Sequence, residues 1–334
     1  MKNPIMKNAA NDSFEVYNEI LSSLELGEMN QDDALNLDHL KWTAEQGNIA
    51  GLLKLRDFSV DHPYVVEVAS AAASKGQLEF LTEMDTMGLL GESCYPAIHV
   101  AASKCQTECL KFLVSRLGTK YLGYEDENGL WPIHLAARCP ITDTLRAVLR
   151  LYPHYKPRIS WFSQSKTKII SPLLEPVRNG LLENARILLE RFPELTNYKD
   201  GKNNTVIHLS MDFVDDLMLK LVLPCSSPEI IAARNVDGDT ALYLGLSHKN
   251  CLDKHALLMS TGHLTGIERN NKGQTPVFIY RRTRDLKAPA IRSKLKQIFN
   301  LKSEEELNEA LQIVMNTEND EGHVVELRKS CFFF

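Results

Sequence analysis

The side chains in this sequence that could carry out chemistry are cysteines that lie near histidines along the chain. Cys105 and Cys109 follow His99, and Cys139 follows His134. A cysteine thiolate is a strong nucleophile, and a neighbouring histidine can generate it by accepting the thiol proton. The spacing therefore allows a cysteine-dependent enzyme.

The same cysteines also have a structural interpretation. Cys105 and Cys139 lie at or beside a position where related segments of the chain have a glycine that ends a helix, and Cys109 lies on the apolar face of a predicted helix. The sequence lacks the phosphate-binding GxxxxGK[ST], zinc-binding HExxH and hydrolase GxSxG motifs. We therefore predict no catalytic residue, no cofactor and no metal.

Composition narrows the class of protein. Of 334 residues, 44% are hydrophobic and 24% charged, as in ordinary globular proteins. The net charge of −5 argues against nucleic acid as a partner, and no apolar run approaches the roughly 20 residues that span a bilayer. Seven cysteines without a CxxC pair favour a reducing compartment over a disulfide framework. We expect a cytoplasmic monomer.

A segment that recurs along the chain must position these side chains. Its clearest copy, DENGLWPIHLAARCP, has turn residues, a proline in the first helical turn and a short helix with paired alanines. Several copies continue into a second helix with apolar residues at helical spacing, so each unit is a turn followed by two antiparallel helices. Aligned on one position, the copies begin 29, 29, 35, 40, 34, 35 and 35 residues apart, at Asp38, Glu67, Pro96, Trp131, Ser171, Thr205, Thr240 and Thr275.

The copy from Asp126 to Pro140 resembles the ankyrin repeat, DxxGxTPLHxAAxxG, and the resemblance covers roughly residues 35 to 300. It implies an all-α ankyrin-repeat solenoid of about eight helix-turn-helix units. It also implies that the threonine caps the first helix and that the histidine ties successive turns together. His99, His134 and His208 share one slot, whereas a catalytic histidine is needed at one position only. We therefore interpret them as structural.

The ends of a stack need caps, because each helix pair buries its apolar face only against a neighbour. We predict a helical cap at residues 1–34, the repeat array at 35–300, and a C-terminal helix and tail at 301–334. In the C-terminal helix, expected to run to Met315, Ser303 and Glu306 form a capping-box signature. Each terminal helix could instead dock a partner. The apolar face of the N-terminal helix comprises Phe14, Tyr17, Ile20, Leu21 and Leu24.

Charge is distributed unevenly near the end of the array. The run from Arg281 to Lys302 is strongly basic, and the span from Ser303 to Leu327 contains no lysine or arginine. Charge runs are usually solvated faces. Apposition of the two segments would also screen the end of the stack.

The concave face of turn tips and inner helices is the surface that such a stack offers to a protein partner. We predict that Glu127, Asn128 and Leu130 contact this partner. A second candidate is an enlarged loop at 152–168, which is aromatic and basic, as binding hot spots often are. Alternatively, its aromatic residues fold back onto the stack. The predicted contact residues of the loop are Tyr155, Lys156, Arg158, Trp161 and Phe162.

The sequence ends in KSCFFF, in which Cys331 resembles the cysteine of a C-a-a-X prenylation box, and the last phenylalanine would specify a geranylgeranyl chain. Phe332 and Phe333 depart from the usual aliphatic pair, and the alternative is a tail packed on the last helix. We expect membrane association only if Cys331 is prenylated.

We interpret the chain as a non-enzymatic protein-binding scaffold whose partner is not identified by the sequence. The alternative is a cysteine-dependent enzyme built on an ankyrin scaffold. A divergent, Asn- and Lys-rich ankyrin chain with a Glu-rich C-terminal helix also looks like the effectors that intracellular bacteria deliver into host cells. The SEEEL stretch from Ser303 fits either a secretion signal or an acidic cap.

Overall fold

The computed structural model of the chain describes residues 33–55, 59–153, 171–244, 251–276, 289–310, 315–318 and 324–327. Nearly all of the predicted N-terminal cap, including its apolar face, lies outside these residues, so that cap remains a prediction.

The described residues form 15 α-helices and one short β-hairpin. None of these helices is both long and apolar enough to cross a membrane. The helices are α1 (Asp33–Glu45), α2 (Pro63–Lys75), α3 (Leu78–Thr86), α4 (Pro96–Ser103), α5 (Thr107–Leu117), α6 (Pro132–Ala137), α7 (Thr142–Leu151), α8 (Leu174–Arg178), α9 (Leu182–Arg191), α10 (Val206–Ser210), α11 (Leu217–Val222), α12 (Pro228–Ile231), α13 (Cys251–Met259), α14 (Pro289–Ile298) and α15 (Glu304–Ala310).

The helices of the central units follow one another as pairs. The second to sixth units are α2–α3, α4–α5, α6–α7, α8–α9 and α10–α11. First helices pack on the first helices of neighbouring units, and second helices pack on second helices. The predicted all-α ankyrin solenoid is therefore confirmed. The first unit replaces its second helix by a 3₁₀ segment, Ile49–Leu55, and the seventh replaces its first helix by Ala241–Tyr243.

Paired alanines explain why neighbouring first helices approach closely. Ala101 and Ala102 in α4, and Ala136 and Ala137 in α6, are all fully buried. A methyl side chain leaves little space between two helix backbones, and the larger apolar residues fill the layer between first and second helices. Pro96 and Pro132 begin their helices, where the missing N–H would have no intrahelical partner.

Side chains from one unit satisfy helix-end carbonyls of the preceding unit. The Asn184 amide in α9 donates to the carbonyl oxygens of Ala137 (3.0 Å) and Cys139 (2.6 Å), which end the first helix of the fourth unit. Gln77 donates to the carbonyl of Glu45 at 2.7 Å. Buried Lys254 donates to the carbonyl of Met211 at 2.6 Å. These bonds complete carbonyls that a short helix leaves without an internal partner.

Helix α15 caps the far end of the stack. Leu307 is fully buried, and the Ser303 hydroxyl accepts the N–H of Glu306 at 3.0 Å, as the capping-box signature predicts. Glu304 pairs with Arg292 and with Lys296 of α14, each at 2.6 Å. The basic helix and the acidic helix therefore face each other. The secretion-signal interpretation of the same stretch remains a prediction.

The chain departs from the predicted terminal helix beyond α15. We expected the helix to continue to Met315, but Met315–Glu318 is a strand, β1, that pairs antiparallel with β2, Val324–Leu327. Met315 lies opposite Leu327 in this register. The valines of β2 favour extended backbone, because β-branched side chains are restricted in a helix.

Candidate protein-binding face

In four units, the turn that opens the unit is built around one acceptor side chain. In the fourth unit, Asp126 Oδ1 accepts the N–H groups of Asn128 and Leu130, both at 2.8 Å. Gly129 has a φ of 74°, a left-handed conformation that glycine adopts without steric cost. Three later turns repeat this construction, with acceptors Asp200, Asn235 and Asn270.

We call these four turns the turn tips, and each exposes the two residues that follow its acceptor. Glu127 and Asn128 are exposed, as predicted for residues that meet a partner. Leu130, in contrast, is only 5% exposed, because its side chain enters the core, so it is not available to a partner. The remaining exposed pairs are Gly201 and Lys202, Val236 and Asp237, and Asn271 and Lys272.

The last three turn tips, those of Asp200, Asn235 and Asn270, are bonded to each other. The N–H of Val236 donates to the carbonyl of Lys202 at 3.0 Å, and the N–H of Asn271 donates to that of Asp237 at 3.1 Å. Asn270 Nδ2 donates to Asp239 Oδ1 at 2.8 Å. The backbone of the tips is thus satisfied within the stack, and the exposed side chains project from a fixed frame.

The histidine of the repeat ties each first helix to the next turn. His99 Nε2 lies 2.9 Å from the carbonyl oxygen of Tyr124, and His208 Nε2 lies 3.1 Å from that of Asp239. Both carbonyls belong to the turn of the following unit. The structural role predicted for this slot is therefore confirmed at both positions.

The hydrogen bonds of His208 fix the tautomer of its neutral ring. Its Nδ1 accepts the N–H of Thr205 at 3.3 Å and lies 2.9 Å from the hydroxyl of the same residue. The proton of a neutral ring must therefore be on Nε2, which donates to Asp239. Burial lowers the pKa of His208, because charge is disfavoured in the core, although the bond to Asp239 opposes this effect. At His134, Nδ1 accepts the N–H of Trp131 at 3.1 Å.

The candidate nucleophiles are occupied or poorly ionised. Cys105 and Cys139 form a disulfide, a pairing that the sequence did not predict. A single pair can form without a disulfide framework once two units bring the residues together. Burial raises the pKa of Cys109 to about 11 and also raises the pKa of Cys94. No cluster of three metal-ligating side chains occurs in the described part of the chain.

A tyrosine cluster, Tyr95, Tyr121 and Tyr124, adjoins the turn of the fourth unit. The rings of Tyr95 and Tyr121 stack at 5.4 Å, and Tyr124 meets Tyr121 edge-on at 4.9 Å. Tyr124 is 45% exposed. The Tyr121 hydroxyl donates to Glu92 at 2.7 Å, which lowers the pKa of that carboxyl, with Lys120 adding to the effect. Tyrosine is a frequent contact residue at protein-binding surfaces. The tyrosines of the segments CYP and KYLGYED were the signal in the sequence for this cluster, and the sequence analysis did not use it.

The inner helices carry a row of alternating charges beside the turn tips. Glu175 lies between Arg138 (3.5 Å) and Arg178 (3.1 Å), and Arg178 continues to Asp200 at 3.0 Å. Burial alone would raise the pKa of Asp200, but hydrogen bonds from Asn204 and the other donors around it hold that pKa below its usual value. These four residues line a cleft of about 490 Å³ on the concave face.

The loop residues Tyr155, Lys156, Arg158, Trp161 and Phe162, and the tail residue Cys331, lie outside the described residues and remain predictions. The described start of the enlarged loop is anchored to the stack. Arg191 of α9 donates to the carbonyl of Pro153 at 2.7 Å.

Comparison with known proteins adds a structural likeness. No protein-family model matches the sequence, and no curated protein matches it. Among solved structures, the chain is similar to the ankyrin repeat domain of Bcl-3, a member of the IkappaB protein family. The two share 17% sequence identity with a TM-score of 0.48, over 78% of this chain and 97% of that one. The ankyrin architecture stated above rests on the chain's own helix pairs and turns.

Proposed function

We propose that the chain is a non-enzymatic scaffold that binds a protein partner through its turn tips, its concave face and the enlarged loop at 152–168. The observation that carries this proposal is that four turns share the same hydrogen bonds, and each exposes the two residues that follow its acceptor. Their residues differ from turn to turn, Glu-Asn, Gly-Lys, Val-Asp and Asn-Lys, while the supporting bonds are repeated. A constant frame with variable exposed side chains suits recognition of an extended protein surface.

The cysteine-dependent enzyme receives no support from the same residues. A nucleophilic cysteine needs a lowered pKa or an adjacent base, whereas burial raises the pKa of Cys94 and Cys109. The slot histidines His99 and His208 use Nε2 to hold the next turn. These features favour binding over catalysis.

Paired variants test the binding proposal. The tip variant carries Glu127→Ala, Asn128→Ala, Lys202→Ala, Asp237→Ala and Lys272→Ala, which removes two acids and two cations. Turn hydrogen bonds persist, because these residues bond through their backbone. The control carries Glu79→Ala, Arg146→Ala, Arg150→Ala and Glu190→Ala, exposed residues of the second helices with the same balance of charge.

Proximity labelling with the wild-type chain nominates partners, and each purified candidate is titrated against the three proteins. We expect at least a tenfold weaker Kd for the tip variant and an unchanged Kd for the control. Equal binding by the tip variant, with an unchanged melting temperature, would refute recognition through the tips.

We also propose that Cys331 is a prenylation site that can bring the scaffold to a membrane. Expression in a eukaryotic cell beside Cys331→Ser should show an added isoprenoid mass and detergent partitioning for the parent only. Identical mass and partitioning of the two proteins, apart from the substitution itself, would remove the tail from the proposal. One lipid chain gives only reversible anchoring, so partial partitioning is the expected result.

A further inference from the structure

Cys105 occupies a backbone position that three other units give to glycine. Gly47, Gly76 and Gly180 end their first helices with φ values of 70°, 77° and 69°, and Cys105 has a φ of 59° at the equivalent position. Residues with a side chain rarely adopt this left-handed conformation. A cysteine there calls for a compensating interaction.

The compensating interaction is the bond to Cys139. The two residues are 34 positions apart, about one repeat, so stacking of the third and fourth units brings them together. Their Cα atoms lie 5.7 Å apart, within the range of unforced disulfides. Cys139 is 1% exposed, whereas Cys105 is partly exposed, so a soluble thiol or disulfide reaches the pair from the Cys105 side.

We propose that Cys105 and Cys139 form a reversible clasp that locks the third unit to the fourth in oxidising conditions and opens in reducing ones. This inference goes beyond partner binding and does not depend on it. Closure joins the segments that directly follow α4 and α6, the first helices of the third and fourth units.

Glutathione disulfide is a sufficient oxidant for closure. The thiolate of Cys105 attacks one glutathione sulfur, the glutathione S–S bond breaks, and one glutathione thiolate leaves. Cys139, after giving its proton to water, attacks the Cys105 sulfur and releases the second glutathione. Two protein thiols are oxidised and one glutathione disulfide is reduced to two thiols. In the open state the Cys139 thiol has an acceptor at hand, since its sulfur lies 3.1 Å from the carbonyl oxygen of Ala102.

Three other cysteines have described side chains, and none of these three forms a disulfide. Cys94 and Cys109 are buried, and Cys225 is partly exposed. Among the cysteine side chains that the structure describes, Cys105 and Cys139 are therefore the pair that links two units.

The test equilibrates the full chain in buffers of defined glutathione and glutathione disulfide ratio, blocks free thiols by alkylation, and maps the linked peptides by mass spectrometry. We expect a Cys105–Cys139 linkage that appears with rising oxidant and is reversed by reductant. Because the linkage closes a long loop in the unfolded chain, the oxidised form should melt higher, by on the order of 5 to 10 °C.

Cys105→Gly is the informative variant, because glycine fits the left-handed position and keeps the protein folded. It should melt at the same temperature in oxidising and reducing buffer. Cys225→Ser is the matched control and should keep the full redox dependence. The proposal is overturned if Cys105 and Cys139 stay open to alkylation in every oxidising buffer, if the linkage forms without raising the melting temperature, or if Cys105→Gly retains the redox-dependent melting shift.

Discussion

A buried histidine can connect two turns only while it is neutral, since one ring nitrogen must accept a hydrogen bond. His208 accepts from Thr205 through Nδ1, so protonation at that nitrogen would break this contact. The residue that makes the repeat recognisable in the sequence is thus also its most direct source of acid sensitivity.

We predict that acid weakens the stack through His208. Because burial lowers the folded-state pKa, the unfolded chain binds more protons, and stability falls as pH drops below about 6.5, by at most about 1.4 kcal/mol per pH unit. Above that pH the contribution is complete. Urea unfolding between pH 7.5 and 5.5 measures the slope.

His208→Gln provides the comparison, because glutamine cannot titrate in this range. The variant should be less stable at pH 7.5 but should lose less stability on acidification than the wild type. A variant with the same pH slope as the wild type would show that His208 is not the titrating group.

Single residues of the turns could be predicted from the sequence, whereas contacts between turns could not. Asp126, Gly129 and the slot histidines follow from local patterns, because each interacts within a few positions or with the next identical unit. The Cys105–Cys139 pair depends on the register of two stacked units, and seven cysteines allow many pairings. The tyrosine cluster likewise joins two separate segments, CYP and KYLGYED, and no local pattern places their rings side by side.

At the level of helices, the short first helices depend on bonds from their neighbours. A helix of five or six residues leaves most of its terminal groups without an internal partner, so it is not stable alone. The Asn184 amide supplies two of the missing bonds to the first helix of the fourth unit.

We predict that Asn184→Ala lowers the free energy of unfolding by about 2 kcal/mol, roughly 1 kcal/mol for each hydrogen bond lost. Asn184 is 2% exposed, so water cannot replace its amide without rearrangement. Asn179→Ala is the control, because Asn179 ends α8 in an exposed position, and it should change stability by less than about 0.5 kcal/mol. Equal effects of the two substitutions in urea unfolding would contradict this role.

The period of the sequence predicted which helices pair, but not where each unit deviates. The Ala241–Tyr243 segment has the residue types expected for a first helix but forms a 3₁₀ turn. In so short a segment, packing against neighbouring units determines the conformation more than the helix propensity of the residues does. The sequence did not predict the strand at Met315 for a related reason. This strand is stabilised by pairing with β2, which lies outside the segment whose apolar spacing predicted a helix.

On the scale of the whole molecule, the residues that stabilise the stack differ from the residues that we propose for recognition. Each unit is held by its neighbours through buried helices and bonded turns, whereas the tip residues Lys202, Asp237 and Lys272 bond to their turns through the backbone N–H. Substitutions in the binding surface should therefore change affinity without changing the melting temperature. The enlarged loop gives the strongest test of this separation, because the interval between the fourth and fifth units is longer than the other intervals between units.

We predict that replacing Tyr155, Arg158, Trp161 and Phe162 together by alanine removes partner binding and leaves the melting temperature and helical circular dichroism unchanged. Aromatic and arginine side chains supply most of the energy at protein interfaces, so loss of four of them should weaken Kd by more than a hundredfold. Titration of a partner obtained by proximity labelling measures the change in Kd, and the second-helix control variant described above is titrated in parallel.

The alternative, in which Trp161 and Phe162 pack on the stack, predicts a lower melting temperature for the same variant. Because α7 and α8 flank the loop in the sequence, that destabilisation would centre on the fourth and fifth units, and hydrogen exchange in those helices would reveal it.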